Sequence, residues 1–193
     1  MRWKDPNLPK WKEQQGFTLI EVLAAIVILS IVSLVLTSYF TNAMSYSKTN
    51  QNKTIMVNLA RNALFYAEKQ DFEKIRFYFQ GKEAEGGTPE ILGHPSIQAS
   101  GCTTVNCSVY SSAVNDVATL AKVLNPTINN ISYHIDIEYQ ASLHNEMENS
   151  TDPVEQATAE YLLPVRIRVS DFSRGSNVKQ TVVEGYITDE QIR

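Results

Sequence analysis

Residues 17–36 form an uninterrupted apolar run in which Glu21 carries the only charged side chain. The run contains no glycine, proline, lysine or arginine. About 20 helical residues, rising ~1.5 Å each, match the ~30 Å hydrocarbon core of a bilayer, so the run can span a membrane. A charge in such a segment costs roughly 2.5–3.5 kcal/mol at its centre and less near an end, where Glu21 lies. The sequence therefore predicts a partner for Glu21.

Cleavage of the chain after Gly16 would supply that partner. Phe17 would then carry a new α-ammonium group one helical turn from Glu21, or beside the Glu21 of a neighbouring copy. A buried pair of opposite charges is far less costly than a lone buried charge. The position of Glu21 therefore points to a processed N-terminus at Phe17.

The residues around this junction resemble a known signal. Gly16, Phe17, Thr18, Leu19, Ile20 and Glu21, behind a short basic leader, resemble the class III signal of type IV prepilins and type II secretion pseudopilins. The resemblance is close over residues 1 to about 40 and is architectural beyond them. It implies that a prepilin peptidase cleaves between Gly16 and Phe17 and methylates Phe17, and that Glu21 recruits a subunit by meeting its neighbour's N-terminal amine. Ser38 stands where many pilins have a helix-kinking proline, so the sequence departs from the family there.

A Sec signal peptide or an ordinary signal anchor would also contain an apolar run, but both fit this one less well. A Sec signal peptide has a shorter apolar region that ends in a small-residue cleavage site, and mid-run Ser30 and Ser33 are poor evidence for one. A signal anchor is the stronger rival, but it gives no reason for Gly16 and Glu21. The prepilin-like interpretation is therefore favoured.

The charge distribution predicts the orientation in the membrane. The leader, residues 1–16, contains Arg2, Lys4, Lys10 and Lys12 against Asp5 and Glu13, whereas most acids follow the apolar run. By the positive-inside tendency, the leader stays cytoplasmic and the remainder is exported. We therefore expect a single-pass membrane protein with an extracytoplasmic C-terminal domain.

The overall charge argues against a general nucleic-acid-binding surface. The chain has 17 basic and 21 acidic side chains, for a net charge of −4, and phosphate binding requires clustered lysine and arginine. A local basic patch of Arg166, Arg168, Arg174 and Lys179 leaves nucleic acid open as a partner, although solvated strand residues are the favoured interpretation. Nucleic-acid binding is thus not indicated.

The absence of glycine and proline from Phe17 to Gln80 predicts one long helix. Its first half, residues 17–36, lies in the membrane, and its second half, residues 37–80, is amphipathic. The residues at helical spacing on the apolar face are Ile55, Leu59, Asn62, Ala63 and Tyr66, with Met56, Ala60, Leu64 and Ala67 beside them. An aromatic cluster between residues 72 and 79 either belongs to the core, which is favoured, or begins a separate element.

The remaining chain divides into a variable loop and a sheet. Residues 81–130 are rich in turn-forming residues and contain one short helix that Ser111 or Ser112 caps and Pro126 ends. Residues 131–193 are predicted to form three strands. The first covers 131–139, where apolar and polar side chains alternate, and the second begins at Leu163, with Pro164 at its start or on an edge. The third covers 178–187 and pairs back as a hairpin. The predicted fold is therefore α+β and pilin-like, with a long N-terminal helix packed on a small antiparallel sheet.

No catalytic site is predicted. Cys102 and Cys107 lie in a polar loop on the exported side, where a disulfide is favoured over free thiols, and a zinc site would need His94, His134 and His144 to converge. The acidic segment 146–155 lacks the spacing of an EF-hand loop, although calcium sites occur in some pseudopilins, so a solvated excursion between strands is favoured. No cofactor or metal is expected.

The resulting hypothesis is a structural subunit, a minor pilin or pseudopilin, of a type IV pilus, competence or type II secretion-like filament. The family implies as partners a prepilin peptidase, other pilin subunits, an assembly ATPase and a polytopic platform protein. The alternative is a membrane-anchored extracytoplasmic binding or sensor domain that never polymerises and keeps Gly16 uncut. A tethered enzyme is a third option, for which the sequence shows no site.

Overall fold

The first helix begins where the apolar run begins and extends far beyond it. The computed structural model describes residues 16–83, 89–103, 106–171 and 179–190, and its first helix, α1, spans Leu19–Glu68. The helix continues through Ser38 without interruption, and the Thr41 hydroxyl donates to the Ser38 carbonyl at 2.9 Å. The proline-associated break of many pilins has no counterpart at this position.

The prediction of a single helix up to Gln80 is wrong in its last part. The Gln70 side chain donates to the Tyr66 carbonyl at 3.2 Å and satisfies one of the acceptors at the end of α1. The Asp71 carboxylate then accepts a hydrogen bond from the Lys74 amide and caps a new helix, α2, at Phe72–Gln80. Because a short polar side chain competes for backbone donors, it can start a new helix without glycine or proline.

The chain divides by compactness into two units, residues 1–49 and 50–193. The described part of the first unit is the beginning of α1, whose side chains are all exposed. An 18-residue window of α1 has a mean hydropathy of 2.9 and none of it is buried, so by length and composition α1 can cross a membrane. The hydroxyls of Ser30 and Thr37 donate to the carbonyls four residues before them, which satisfies these polar groups within an apolar segment.

The second unit has a core shared by helices and sheet. From α1 it takes the buried stripe Met56, Leu59, Ala60, Ala63 and Ala67. Helix α2 contributes Phe72, Ile75, Tyr78 and Phe79, while Phe77 stays 45% exposed. The aromatic cluster therefore forms a separate element and is also mostly core. Small alanine side chains let α1 approach the sheet closely.

Short elements follow α2 where a variable loop was expected. Strands β1 (Gly81–Glu83) and β2 (Pro89–Leu92) form a two-stranded sheet, and helix α3 spans Val117–Leu124. The cap of α3 is Asp116, whose carboxylate accepts from the amides of Ala118 and Thr119 at 3.0 Å, not the predicted Ser111 or Ser112. Asp116 immediately precedes the first helical residue, which the cap position requires.

The main sheet is antiparallel and has five strands. They are β3 (Ser96–Ile97), β4 (Thr127–Ile128), β5 (Ile131–Tyr139), β6 (Leu162–Asp171) and β7 (Lys179–Thr188). The order is β3-β5-β6-β7, with β4 paired to β5. The three predicted strands are confirmed, and β6 and β7 pair over ten residues from Leu162↔Thr188 to Asp171↔Lys179. Residues 172–178, which connect β6 to β7 in the sequence and include Arg174, lie outside the described residues.

Pro164 occupies the central strand β6, where a missing N–H should interrupt the ladder. It is buried near the start of the strand, beside β5 on one side and β7 on the other. The Gln140 amide donates to the Pro164 carbonyl at 2.9 Å, so residue 164 directs its hydrogen-bonding groups toward the end of β5. The missing N–H therefore costs only a bond at the end of this ladder, and of the two predicted positions, the start of the strand or an edge, Pro164 takes the first.

The acidic segment between β5 and β6 is a largely exposed excursion, as predicted, and it folds into two helices that were not predicted. They are α4, Ala141–Glu148, and α5, Pro153–Ala159. The Asp152 carboxylate accepts from the Val154 amide at 2.9 Å and caps α5, with Pro153 in its first turn. A capping aspartate followed by proline is a strong helix-start signal, which accounts for the difference from the prediction.

Candidate processing and assembly site

The junction between Gly16 and Phe17 lies outside α1 and is open to solvent. No described atom lies within 4 Å of the place where a side chain at Gly16 would begin, and Phe17 is 89% exposed. The basic leader before it lies outside the described residues. The junction is therefore not covered by the other described residues and precedes the first helical residue, Leu19.

Thr18 and Glu21 form a reciprocal cap at the start of α1. The amide and the hydroxyl of Thr18 both donate to Glu21 Oε2 at 2.8 Å, and the Glu21 amide approaches Thr18 Oγ1 at 3.4 Å. This is the capping-box arrangement, which satisfies backbone donors at a helix start. The Glu21 carboxylate is thus held against the first helical turn, on the side of Phe17.

Thr18 has a structural role that was not predicted from the sequence. The signal was present, because threonine followed three residues later by glutamate is the sequence pattern of a capping box. It was hidden because the same residues also resemble a signal sequence, in which the charge of the glutamate is the most conspicuous feature. Glu21 is therefore a local cap in the structure, beside its predicted role as a charge for a partner.

The predicted charge partner of Glu21 is not found in the described part of the chain. None of the ion pairs between described residues includes Glu21, whose hydrogen bonds go to Thr18. Pairing with a processed N-terminus therefore stays a prediction.

Comparison with known families decides what this segment is. Residues 11–37 match the model of the prokaryotic N-terminal methylation motif. The chain carries the class III signal peptide of type IV pilins and pseudopilins. The match starts before Gly16 and ends one residue past the apolar run 17–36, so it covers the exposed junction and the whole run. It indicates a type IV pilin-like or pseudopilin precursor. No curated protein and no solved structure matches the chain.

The two cysteines of this pilin-like chain are joined. Cys102 and Cys107 form a disulfide in the loop before α3, with Cys107 fully buried. Tyr110 packs beside this loop, and its hydroxyl accepts from the Gln98 amide at 2.9 Å and donates to the Gln98 carbonyl at 3.0 Å. The arrangement fixes the path of the loop and presents no reactive thiol.

The histidines occupy separate environments. His144 is buried, its Nε2 lies 3.0 Å from the Ala159 carbonyl and its Nδ1 lies 2.6 Å from the Tyr139 hydroxyl. Because a carbonyl only accepts, Nε2 carries the proton and Nδ1 accepts from Tyr139. His94 instead stacks on Tyr78 with ring centroids 4.7 Å apart. Among the described residues no group of three metal-ligating side chains lies together.

The arginines considered for phosphate contacts have carboxylate partners. Arg166 pairs with Glu184 at 2.9 Å, and Arg168 pairs with Glu138 at 2.9 Å. Both pairs join neighbouring strands on one face of the sheet. Their charges are balanced locally, which lowers their attraction for phosphate.

Proposed function

We propose that this protein is a subunit of a type IV pilus-like or type II secretion-like filament, in the role of a minor pilin or pseudopilin. The observation that carries the proposal is the coincidence of the methylation motif at residues 11–37 with an exposed Gly16–Phe17 bond directly before the helix. Prepilin peptidase cleaves this bond and methylates Phe17. The subunit is structural, and competence is one of the systems it fits.

The physical role of the N-terminal segment follows from its exposed apolar surface. No other described residue covers the surface between Phe17 and Leu36, so lipid covers it before assembly and helices of other subunits cover it afterwards. The charge of Glu21 meets the N-terminal amine of a neighbouring subunit in this apolar environment, where ion pairing is strong. The pair sets the register of one helix against the next.

The remaining partners belong to the assembly machinery. A platform protein and an ATPase extrude the subunit from the membrane, in which it rests as a single-pass protein with a cytoplasmic leader. The domain after α1 lies on the extracytoplasmic side, where its disulfide is compatible with an oxidising environment.

The first experiment measures the N-terminal residue and intact mass of the protein from cells with and without prepilin peptidase. We expect the wild-type chain to begin at N-methylated Phe17 only when the peptidase is present, and Gly16→Ala to keep its leader. A chain that retains Met1 in both strains would refute processing and leave the anchored binding domain in its place.

A matched pair of variants separates the two functions of Glu21. Glu21→Gln keeps a capping side chain but removes the charge, so we expect it to be processed and to fail in filament assembly. Thr18→Val removes the hydroxyl of the cap but keeps the charge; it should weaken the first helical turn by about 1 kcal/mol and still assemble. Assembly of Glu21→Gln at the wild-type level would show that the charge has no assembly role.

A further inference from the structure

The two long edges of the main sheet differ in how they are protected. The outer side of β5 is covered by β3, β4 and the loop between them, and Asp136 Oδ1 accepts from the Ala99 amide at 2.9 Å. The Tyr133 and Tyr139 amides donate to the carbonyls of Pro126 and Pro95. On the outer side of β7, none of the described strands is paired. One edge is closed and the other is open.

The register shows which groups the open edge of β7 presents. The Asp189 amide donates to the Tyr161 carbonyl at 3.0 Å, in the same register as Leu163↔Ile187. The odd-numbered residues of β7 therefore bond to β6, because backbone groups alternate in direction along a strand. The residues that direct their N–H and C=O groups outward include Gln180, Val182, Glu184 and Tyr186.

This edge lacks the usual protection against strand addition. Pairing with β6 runs without a register shift, and β7 contains no proline and only one lysine, at its first position. Long regular edges of this kind accept further strands. An extended segment added to β7 would gain backbone hydrogen bonds along its length.

A basic ridge of α1 lies above the open edge. Leu64 packs against Gly185, and Thr181 donates to Met56 Sδ at 3.8 Å, so α1 runs along the inner face of β7. Tyr66, on another side of α1, bonds the Asp116 carbonyl and faces α3. The side of α1 away from α3 is therefore the side toward the open edge.

The ridge consists of Lys53, Val57 and Arg61, which are spaced four residues apart and share this side with Leu64. Lys53 and Arg61 are exposed, and neither has an ion pair among the described residues. A strand added to β7 would direct alternate side chains toward this ridge. Carboxylates at those positions would meet two cations.

The opposite side of the edge is apolar in part. Val182 is 48% exposed and Tyr186 is 42% exposed, and Glu184 between them is paired with Arg166. The other face of an added strand would therefore lie beside a β-branched and an aromatic side chain, which favour apolar neighbours.

We propose that the open edge of β7 and the basic ridge of α1 bind an extended strand of another protein, with carboxylates on its helix-facing side and apolar residues on its other side. The binding mode is strand addition, and it is independent of cleavage at Gly16. A second copy of the chain fits less well. Two β7 strands can pair antiparallel with Val182 of each copy opposite Tyr186 of the other. This register places the two Glu184 carboxylates opposite each other and brings the two basic ridges together, and both contacts are repulsive.

The test uses the purified full chain in detergent and two labelled ten-residue peptides, one of alternating valine and glutamate and one of alternating valine and lysine. Fluorescence anisotropy should show the glutamate peptide binding at least about tenfold more tightly than the lysine peptide. The double variant Lys53→Glu, Arg61→Glu should reverse this preference.

Proline substitution tests the backbone. Val182→Pro removes an outward-directed N–H that takes no part in the pairing of β7 with β6, so the variant should fold. Its affinity for the glutamate peptide should fall at least about tenfold. Val182→Thr is the matched control, because it keeps the N–H and a β-branched side chain, and it should change the affinity less than about threefold. Near-UV circular dichroism checks that each variant is folded.

Three results would overturn the proposal. The first is that both peptides bind equally or that neither binds. The second is that a folded Val182→Pro variant binds the glutamate peptide as tightly as the wild-type chain does. The third is that the full chain forms a dimer that Val182→Pro abolishes, because the occupant of the edge would then be a second copy. If Val182→Pro does not fold, the Lys53→Glu, Arg61→Glu variant decides. The proposal is then contradicted if this variant still prefers the glutamate peptide to the same degree as the wild-type chain.

Discussion

The helix up to residue 49 and the domain after it use the same residue types in opposite ways. Leu34 in the first is 73% exposed, whereas Leu163 in the second is fully buried. The first has no tertiary core of its own, and the second packs α1, α2, α3 and the sheet around one cluster. Exposed apolar surface of that size marks a surface for lipid or for other proteins.

The difference shows that the two parts are stabilised by different contacts, the domain by contacts within the chain and the first part of α1 by contacts with its surroundings. The domain carries its stabilising contacts inside the chain, so point substitutions in it should change its free energy of unfolding. The first part of α1 is helical by its internal hydrogen bonds and needs an apolar environment outside the chain. Substitutions there should alter membrane or subunit contacts and leave the domain unaffected.

The strongest test of this comparison is a pair of isoleucine truncations. Ile167→Ala in β6 removes a fully buried side chain and should lower the free energy of unfolding of the domain by about 3 kcal/mol. Ile28→Ala, at a residue 62% exposed in the first part of α1, should change it by less than about 0.5 kcal/mol. Urea unfolding followed by tyrosine near-UV circular dichroism measures both, and equal effects would break the comparison.

The next largest effect is expected at the disulfide. Replacing Cys102 and Cys107 together by serine opens a short loop and should lower the free energy of unfolding by about 2 kcal/mol. Mild reduction of the wild-type chain should reproduce the loss and have no effect on the double variant. Stability that does not respond to either treatment would show that the loop is held by Tyr110 and its neighbours alone.

A smaller effect is expected where α1 meets the sheet. An added methyl group at Gly185 would lie 2.5 Å from Leu64 Cδ2, so Gly185→Ala should cost about 1 kcal/mol as that side chain moves. Adding Leu64→Ala removes the clash, and a double-mutant cycle should return a favourable coupling. Purely additive losses would contradict the packing of α1 on β7.

The smallest effect concerns alkaline pH. Burial, with the neighbouring Tyr110, raises the pKa of Tyr78 to about 12. The neutral phenol is the form that the fold favours, so its contribution to stability is complete below the unfolded-state pKa of about 10 and disappears as the pH rises towards 12. Burial also raises the pKa of Tyr66, Tyr133 and Tyr139, so phenolate absorbance against pH should show a late-titrating component that Tyr78→Phe reduces but does not abolish. Titration of all tyrosines near pH 10 would contradict this environment.

The sequence predicted the elements with strong periodic signals. Residues 131–139 alternate between apolar and polar side chains, and they form β5 with Tyr133, Ile135 and Ile137 buried. The start of α1 was also predicted, because an apolar run is local in the sequence, and the six-residue signal lies within the matched motif at residues 11–37. Local patterns predict local structure well.

The errors came from short polar side chains whose position decided the structure. Asp71, Asp116 and Asp152 each cap a helix, and hydrophobic spacing alone did not reveal where these helices begin. The choice between the two predicted positions of Pro164, the start of its strand or an edge, depends on where the ladder of β5 ends, which is a property of pairing between distant segments. The open edge of β7 likewise became visible only once the strand order was known.

The buried stripe of α1 also has a consequence for the order of folding during synthesis. A ribosome makes Met56, Leu59 and Ala63 early, whereas strands β6 and β7, which help to cover them, come last. The domain therefore cannot complete its core until β6 and β7 have been made, and the stripe stays uncovered until then. Such a nascent chain needs protection from aggregation while these strands are made.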